Sequence, residues 1–202
     1  MGASYSMAEV LMIVVAFLMG GIPFGVIVSK SFWKIDPRKG GSGGIGFTNV
    51  MRVVGKKAAF MTLTLDTLKG TVPVLLIRQF TSDPIWISLV ALFAVLGHTF
   101  SIYLVFKGGK GIATGFGVLL GISPLVAIIT FFIWNGVYFI WKFSSLAGLI
   151  SFTLLPVTLV LTGFPQYLPF SFILMLMIYY KHIANIKRLI SGTESRMSNR
   201  PK

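Results

Sequence analysis

The stretch Val10–Ser29, VLMIVVAFLMGGIPFGVIVS, decides the fold class of this 202-residue chain. It holds twenty residues and no charge, and a helix of that length is about 30 Å long, which is the thickness of a bilayer's hydrocarbon core. Across the chain, hydrophobic residues make up 55% and charged residues 11%, whereas a soluble domain carries about 25% charged residues. This composition excludes a soluble enzyme, a disordered tail and a coiled coil, and it predicts a polytopic membrane protein.

Further apolar segments follow the first, separated by basic clusters or by breaks that contain proline. Such breaks fall at Ser123-Pro124 and in the turn-rich segment Gly163–Pro169, because proline lacks the N–H group that a helix interior needs. The fourth segment is short, and its three glycines weaken it as a helix. We predict an all-α fold of about seven transmembrane helices in one domain, residues 1–202, with spans at about 8–29, 58–78, 84–105, 111–122, 124–141, 144–162 and 168–182.

The basic residues predict how the chain lies in the membrane. Lys and Arg number 18 against 5 Asp and Glu, and the formal net charge is +13. Fifteen of the 18 lie in residues 30–57, in the loop 107–110 and from residue 181 onward. Because Lys and Arg collect in cytoplasmic loops, we predict an N-terminus outside and a C-terminus in the cytoplasm. Without the fourth span, Lys142 and the C-terminal basic residues would face outward. The first segment has no small-residue cleavage site, so we expect it to be retained as a helix.

The first polar motif is the glycine-rich segment 40–46, GGSGGIG, followed by Thr48, Asn49 and Arg52. Glycines let a backbone approach a ligand closely and aim its N–H groups at an anion. The hydroxyl and amide groups that accompany them, and a forked arginine, suit a phosphate. The alternative is a flexible linker that ends in a helix cap.

The second motif is FKGGKG at residues 106–111, which opens a predicted helix. Backbone N–H groups at a helix N-terminus, together with Lys107 and Lys110, form a candidate phosphate cradle. The spacing is not that of a Walker motif. The alternative is a short basic turn, although such a turn does not need so many glycines.

The third motif runs from Lys181 to Glu194. In a continuous helix, Lys181, Asn185 and Arg188 would share one face, with His182 beside Asn185. The alternative is a juxtamembrane helix end whose lysines contact anionic lipids, which explains the lysines better than it explains His182 and Asn185.

Three charged or histidine side chains lie away from the ends of the predicted spans: Asp66 and Lys69 in the second, and His98 in the third. Charges inside a bilayer are costly and are functional candidates by default. The alternative for Asp66 and Lys69 is a neutralising structural pair, and His98 is equally a candidate packing residue.

The polar residues also exclude several kinds of enzyme site. With no cysteine in the chain, thiolate zinc sites, disulfide scaffolds and cysteine nucleophiles are excluded. The sequence has neither the paired acids of a glycosidase, nor a metal-ligand cluster, nor a nucleophile elbow. A site rich in cations, glycines, hydroxyls and amides suits a phosphate-bearing ligand beside a lipid-facing opening.

Taken in order, these motifs resemble those of the bacterial membrane glycerol-3-phosphate acyltransferases that use acyl-phosphate as donor. The similarity covers residues 41–52, Leu-Asp-x-x-Lys-Gly-x-x-Pro at 65–73, Gly-His-x-Phe at 97–100, residues 106–114 and residues 182–194. It implies transfer of an acyl group from acyl-phosphate to sn-glycerol 3-phosphate, giving lysophosphatidate and phosphate, at the cytoplasmic side of the bacterial inner membrane. Two positions depart from the pattern: Gly44 stands where the family usually has Asn, and Ser101 where it usually has Pro.

The resemblance and the chemistry of the motifs together give an expected site. We expect His182 as the candidate base, with a substrate phosphate as its rival, and the cationic loops as holders of the two phosphates. The candidate catalytic residues are His182, Lys107 and Ser42; the candidate phosphate-binding residues are Gly43, Thr48, Asn49, Arg52, Gly109, Lys110, Asn185 and Arg188; and the candidate supporting residues are Asp66, Lys69 and His98. The expected partners are the two substrates and membrane lipids, with no cofactor, metal, nucleic acid or obligate protein partner.

Two other function classes are compatible with the composition. A transporter of a phosphate-bearing metabolite also uses glycines and cations, but near the bilayer midplane, whereas the basic residues here crowd one rim. A structural protein that binds lipid headgroups explains the charge but not Asn49, Asn185 and His182.

Overall fold

The computed structural model describes residues 7–197, and that part of the chain is all-helical, as the sequence predicts. Short 3-10 turns occur at Pro37–Lys39, Ile102–Leu104 and Pro165–Tyr167. The helices are α1 (Met7–Gly21), α2 (Phe24–Trp33), α3 (Phe47–Val53), α4 (Lys56–Ile77), α5 (Pro84–Thr99), α6 (Ile112–Ile122), α7 (Pro124–Trp141), α8 (Ser144–Thr153), α9 (Leu155–Leu161), α10 (Leu168–Lys181) and α11 (Ile183–Ile190).

Proline sets several of the helix boundaries. Pro84 and Pro124 stand at the first position of α5 and α7, where the missing N–H has no intrahelical partner to lose. Pro156 lies at the start of α9, where the chain bends by 44° after α8. The sequence predicts one span over about 144–162, and the bend within it is an additional feature of the structure.

Helix length decides which predicted spans are long enough to cross a bilayer. The stretches Met7–Trp33, Lys56–Ile77, Pro84–Leu104 and Pro124–Trp141 qualify alone. The bent pairs α8 with α9, and Pro165–Lys181 with α11, qualify if each is one span. The fourth predicted span, α6, has 11 residues and is about 16 Å long. The seven-span count and the orientation of the termini therefore stay predictions, and Arg200 and Lys202 of the C-terminal basic cluster lie outside the described residues.

Small residues bring α6 into close contact with the second half of α4. A Cβ added at Gly117 would overlap the Thr67 carbonyl oxygen, so only glycine allows this approach. At the far end of α6, the Arg78 Nη1 donates to the carbonyl of Gly121 at 2.7 Å and to that of Ile122 at 3.3 Å. Because α6 lies beside residues 67–78 of α4, the loop before it opens beside the middle of α4.

Apolar side chains fill the interior and also cover the outer surface. Val74, Ile77, Val90, Leu119, Phe152 and Leu174 are among the side chains buried between α4, α5, α6, α8 and α10. Large apolar residues elsewhere are exposed, for example Phe132 at 67%, Ile140 at 69% and Leu161 at 80%. A surface this apolar is unfavourable in water and matches lipid tails, as expected for an integral membrane protein.

Candidate active site

The side chain of Asn49 organises the glycine-rich loop from inside. Its Nδ2 donates to the carbonyls of Pro37 at 2.8 Å and Gly44 at 2.7 Å, and its Oδ1 accepts from the Ser42 N–H at 2.8 Å. Asn49 is 3% exposed, and its amide is engaged on both sides. The arrangement makes Asn49 a brace of the loop in this structure, rather than a group that faces a ligand.

The loop places a different set of groups at its surface. Gly41 and Gly43 adopt φ values of 58° and 69°, in the left-handed region that favours glycine. The Gly43 N–H donates to the Gly40 carbonyl at 3.0 Å, so this part of the predicted anion nest is occupied by the loop's own bond. The Ser42 side chain is exposed and remains accessible to a ligand.

Thr48 connects the loop to the start of α8. Its hydroxyl lies 3.0 Å from that of Ser144, the first residue of α8. This bond fixes the N-terminus of α8 beside the glycine-rich loop, and its donor direction is open because either hydroxyl can donate.

The second loop, residues 105–111, is tightly constrained before α6. Val105 and Phe106 have φ values of 50° and 60°, a left-handed conformation that is strained for such residues. The Phe106 N–H donates to the Ser101 carbonyl at 2.8 Å, and the Gly109 N–H donates to the His98 carbonyl at 2.9 Å. These bonds hold the loop against the end of α5 and leave the Lys107 side chain exposed.

Lys110 lies among the other charges of the site. Burial, together with the positive charges of Arg188 and Arg52, lowers the pKa of the Lys110 ammonium to about 8, while Glu194 acts in the opposite direction. The glycine-rich segment with Arg52, the 107–111 loop and α11 therefore lie at the same end of the bundle.

Glu194 is the centre of the third motif. Its Oε1 accepts from the Ser145 Oγ at 2.9 Å and the Asn185 Nδ2 at 2.7 Å, and its Oε2 accepts from the Arg188 Nε at 2.7 Å. Burial alone would raise the pKa of the Glu194 carboxyl, but these three hydrogen bonds outweigh it and hold the pKa below its usual value. The carboxylate therefore orients Asn185 and Arg188.

His182 stands at the break between α10 and α11, where the chain bends by 65°. The ring is 2% exposed. Its Nδ1 lies 2.8 Å from the Ile178 carbonyl, so Nδ1 carries the proton and Nε2 keeps its lone pair. The Nε2 atom faces Gly148 on α8, 4.0 Å from where a Cβ of that residue would lie.

The same break corrects the expectation that Lys181 shares a face with Asn185 and Arg188. Lys181 instead donates to the Thr99 carbonyl at 2.9 Å, and its ammonium lies 4.9 Å from the centre of the Phe100 ring. It caps the end of α5, because a cation there complements the unpaired carbonyls.

The segment after α11 crosses this end of the bundle. Arg52 Nη2 donates to the Ser195 hydroxyl at 3.0 Å, and the Arg196 guanidinium lies 5.9 Å from the Phe143 ring. Met197 packs on the small apolar cluster beneath α2, α3 and α4. The tail thus connects α3, the α7–α8 junction and α11.

The structure divides most of the sequence-predicted residues into three groups, while Thr48, Asn49 and Gly109 make hydrogen bonds within the protein. Arg52, Arg188 and His182 each lie within electrostatic range of Lys110, and Asn185 donates to Glu194 in the same region. Ser42, Gly43 and Lys107 lie on exposed parts of the two loops. Asp66, Lys69 and His98 form a separate buried cluster behind the 107–111 loop. Within residues 7–197, no three His, Asp or Glu side chains gather as a metal site requires.

Sequence reasoning left three residues out of the candidate site: Ser144, Ser145 and Glu194. Glu194 belongs to the third motif, but a carboxylate repels phosphate, so its charge argues against a place in a phosphate site. The sequence feature that could have identified Glu194 is its position as the one acidic residue directly after a basic helix. The two serines at the start of α8 carry no comparable signal.

Both departures from the family pattern fit their surroundings. The Gly44 carbonyl accepts from Asn49, and a Cβ added at Gly44 would meet only ordinary contacts, 3.5 Å from the Ser42 Oγ. Ser101 is fully buried and donates its hydroxyl to the Gly21 carbonyl. Serine thus adds a bond to α1 where proline would only restrict the loop.

Comparison with known proteins identifies the family. The family model described as glycerol-3-phosphate acyltransferase matches residues 10–192. A glycerol-3-phosphate acyltransferase of Lawsonia intracellularis is 41% identical over 191 residues, which cover 92% of this chain and 94% of the relative. One of Halorhodospira halophila is 41% identical over 194 residues, which cover 96% and 98%.

Solved structures give the same result. The crystal structure of PlsY, an integral membrane glycerol 3-phosphate acyltransferase, in its glycerol 3-phosphate form matches with a TM-score of 0.89 and 35% identity. The lysophosphatidic acid form matches with a TM-score of 0.87 and 34% identity. Each covers 95% of this chain and 96% of the solved one. This chain therefore belongs to the glycerol-3-phosphate acyltransferase family.

Proposed function

We propose that this membrane protein transfers an acyl group from acyl-phosphate to sn-glycerol 3-phosphate, giving 1-acylglycerol 3-phosphate and phosphate in phospholipid biosynthesis. One observation carries the proposal: Arg52 and Arg188 lie within electrostatic range of Lys110, and Arg188 and Asn185 share the Glu194 carboxylate, near His182 at one end of an apolar bundle. Two phosphate-bearing substrates need such a concentration of cations, and one of them brings an acyl chain from the lipid.

The chemical step needs little covalent help from the protein. A hydroxyl oxygen of glycerol 3-phosphate attacks the acyl carbon, the bond from that carbon to the phosphate oxygen breaks, and phosphate leaves with the electron pair. The hydroxyl proton passes to His182 Nε2 or to a phosphate oxygen. Holding the two substrates together contributes about 7–11 kcal/mol to such a reaction, and the cations offset charge on the acyl oxygen and the leaving phosphate.

The candidate residues take distinct roles in this proposal. Ser42, Thr48 and Arg52 act on one phosphate, and Lys107 and Lys110 act on the other, while Gly109, whose N–H donates to the His98 carbonyl, holds this loop against α5. Asn49 acts through the loop that it braces. The Asn185 Nδ2 donates to Glu194, and its Oδ1 is buried without a hydrogen-bond partner among residues 7–197. That oxygen is an acceptor for a substrate hydroxyl.

A direct assay tests the reaction. Purified protein in detergent receives acyl-phosphate and glycerol 3-phosphate, and phosphate release and lysophosphatidate formation are followed together. We expect both products only when both substrates are present. A transporter gives neither product. Equal activity with an acyl thioester in place of acyl-phosphate would contradict the proposed donor.

We also propose that the protein lies in the bacterial inner membrane with this site on the cytoplasmic side, since the basic loops follow the positive-inside rule. The cysteine-free chain makes a labelling test simple. Single variants Ser42→Cys and Lys107→Cys should react with an impermeant maleimide only from the cytoplasmic face. Labelling of the two from opposite faces would exclude a shared site.

Lys110 predicts a pH dependence of substrate binding. An ammonium with a pKa of about 8 is charged below pH 8 and loses its charge above it, while a phosphate ester stays dianionic above about pH 7. At pH 9 about nine-tenths of Lys110 is neutral, so the KM for one of the substrates should rise several-fold between pH 7 and 9. The matched variant Lys110→Arg keeps its charge and should flatten this rise. An equal rise in both proteins would contradict the role of Lys110.

A further inference from the structure

A buried ionic cluster lies directly behind the 107–111 loop. Lys69 Nζ is 2.7 Å from Asp66 Oδ1 and donates to the Ile22 carbonyl at 2.6 Å. His98 Nδ1 is 3.9 Å from the same Asp66 oxygen. Asp66, Lys69 and His98 are 1%, 3% and 3% exposed, and their ionisable groups face one another.

The opposite edge of the His98 ring faces Gly109. A Cβ added at Gly109 would overlap the His98 Nε2 and lie 2.7 Å from its Cε1. Gly109 is not among the residues with positive φ, so its backbone conformation is open to alanine. The imidazole is therefore what requires glycine at this position.

Gly108 provides a contrast one residue earlier. A Cβ added there would overlap the His98 carbonyl oxygen and lie 3.0 Å from the Thr99 carbonyl carbon. These are backbone atoms of α5, and no change of the His98 side chain removes them. Gly108 thus packs against the backbone of His98, whereas Gly109 packs against its side chain.

We propose that His98 is a positioning residue for the phosphate-binding loop. Its imidazole lies between the Asp66–Lys69 ion pair and Gly109 and packs against Gly109. This contact sets the position of the neighbouring Lys110 in the site. The inference rests on the proposed function in one respect, namely that this loop binds a substrate phosphate. A loop displaced by about 1 Å costs up to about a hundredfold in activity.

A double-variant comparison tests the proposal. We expect Gly109→Ala to raise the KM for one of the two phosphate substrates at least tenfold, with a smaller change in kcat. In the His98→Ala background the added methyl group has space, so the same substitution should raise that KM by threefold or less. Gly108→Ala should raise the KM equally in both backgrounds, because the added methyl group clashes with backbone atoms of α5 that His98→Ala leaves in place.

The outcomes separate the positioning role from a general loss of stability. The proposal would be overturned if Gly109→Ala raised the KM equally with and without the His98 side chain. It would also be overturned if His98→Ala reduced the effects of Gly108→Ala and Gly109→Ala equally. If His98→Ala does not yield monodisperse protein, His98→Asn replaces it, since its shorter side chain also ends before Gly109. A wild-type protein without acyl transfer would refute the proposed function, whereas an active protein without selective relief would refute only the role of His98.

Discussion

Replacing His182 with Gln is expected to lower kcat by about a hundredfold or more, because general-base catalysis contributes about 10²–10⁴ in rate. The Nδ1 atom is engaged with the Ile178 carbonyl at 2.8 Å, which leaves Nε2 as the proton acceptor. Glutamine keeps hydrogen-bonding groups and approximate size but cannot accept a proton at neutral pH. Initial rates at saturating concentrations of both substrates measure the effect.

The rival base is a phosphate group of a substrate. If the substrate supplies its own base, His182→Gln should retain activity within about threefold of wild type, and that result would remove histidine from the proton transfer. The KM values for both substrates are the internal control. A change in KM alone would assign His182 to binding.

The apolar segments predicted most of the helices because nearly all are long and have few charges between basic clusters or proline-containing breaks. The break at Ser123-Pro124 was predictable from proline, and α6 and α7 do meet there. The bend between α8 and α9 was missed although Pro156 lies at the start of α9, because the surrounding residues continue an apolar run. The short length of α6 was visible, but its place beside half of α4 depends on Arg78 and on glycine contacts made across the bundle.

The charges and glycines of the candidate site were predictable from the sequence. The orientation of each side chain, and the group that it contacts, were not. Asn49 and Arg52 looked alike as polar groups near a glycine-rich loop. In the structure the amide of Asn49 points into the loop, whereas Arg52 faces Ser195 and Lys110. The Asn49 bonds reach residues 5 and 12 positions away, whereas the Arg52 bond to Ser195 spans 143 positions, and a local sequence pattern does not encode a contact of that length.

Glu194 is a second residue whose contacts could not be predicted from the sequence. A cationic site that binds phosphate has no evident use for a carboxylate, so charge alone argues against it. The three donors that converge on Glu194 give it a different use: one anion fixes the geometry of several donors without facing the ligand.

Arg52→Ala and Lys107→Ala are each expected to lower kcat/KM by about 10- to 150-fold. A hydrogen bond to a charged group is worth about 1.5–3 kcal/mol, and each 1.36 kcal/mol is a factor of ten. Arg52 uses Nη2 on Ser195, which leaves the rest of its fork for a phosphate. Lys107 is exposed beside the loop that holds Lys110. Steady-state kinetics with each substrate varied in turn measures both losses.

Matched variants separate the charge from its surroundings. Ser195→Ala removes the tail's bond to Arg52 but leaves the guanidinium, so we expect activity within about twofold of wild type. Lys57→Ala removes one exposed positive charge from the first turn of α4, and the same result is expected because a lone surface charge is largely screened. Full turnover in both Arg52→Ala and Lys107→Ala would mean that the substrate phosphates bind elsewhere. A loss as large in Lys57→Ala would mean that net charge, and not these two side chains, attracts the substrates.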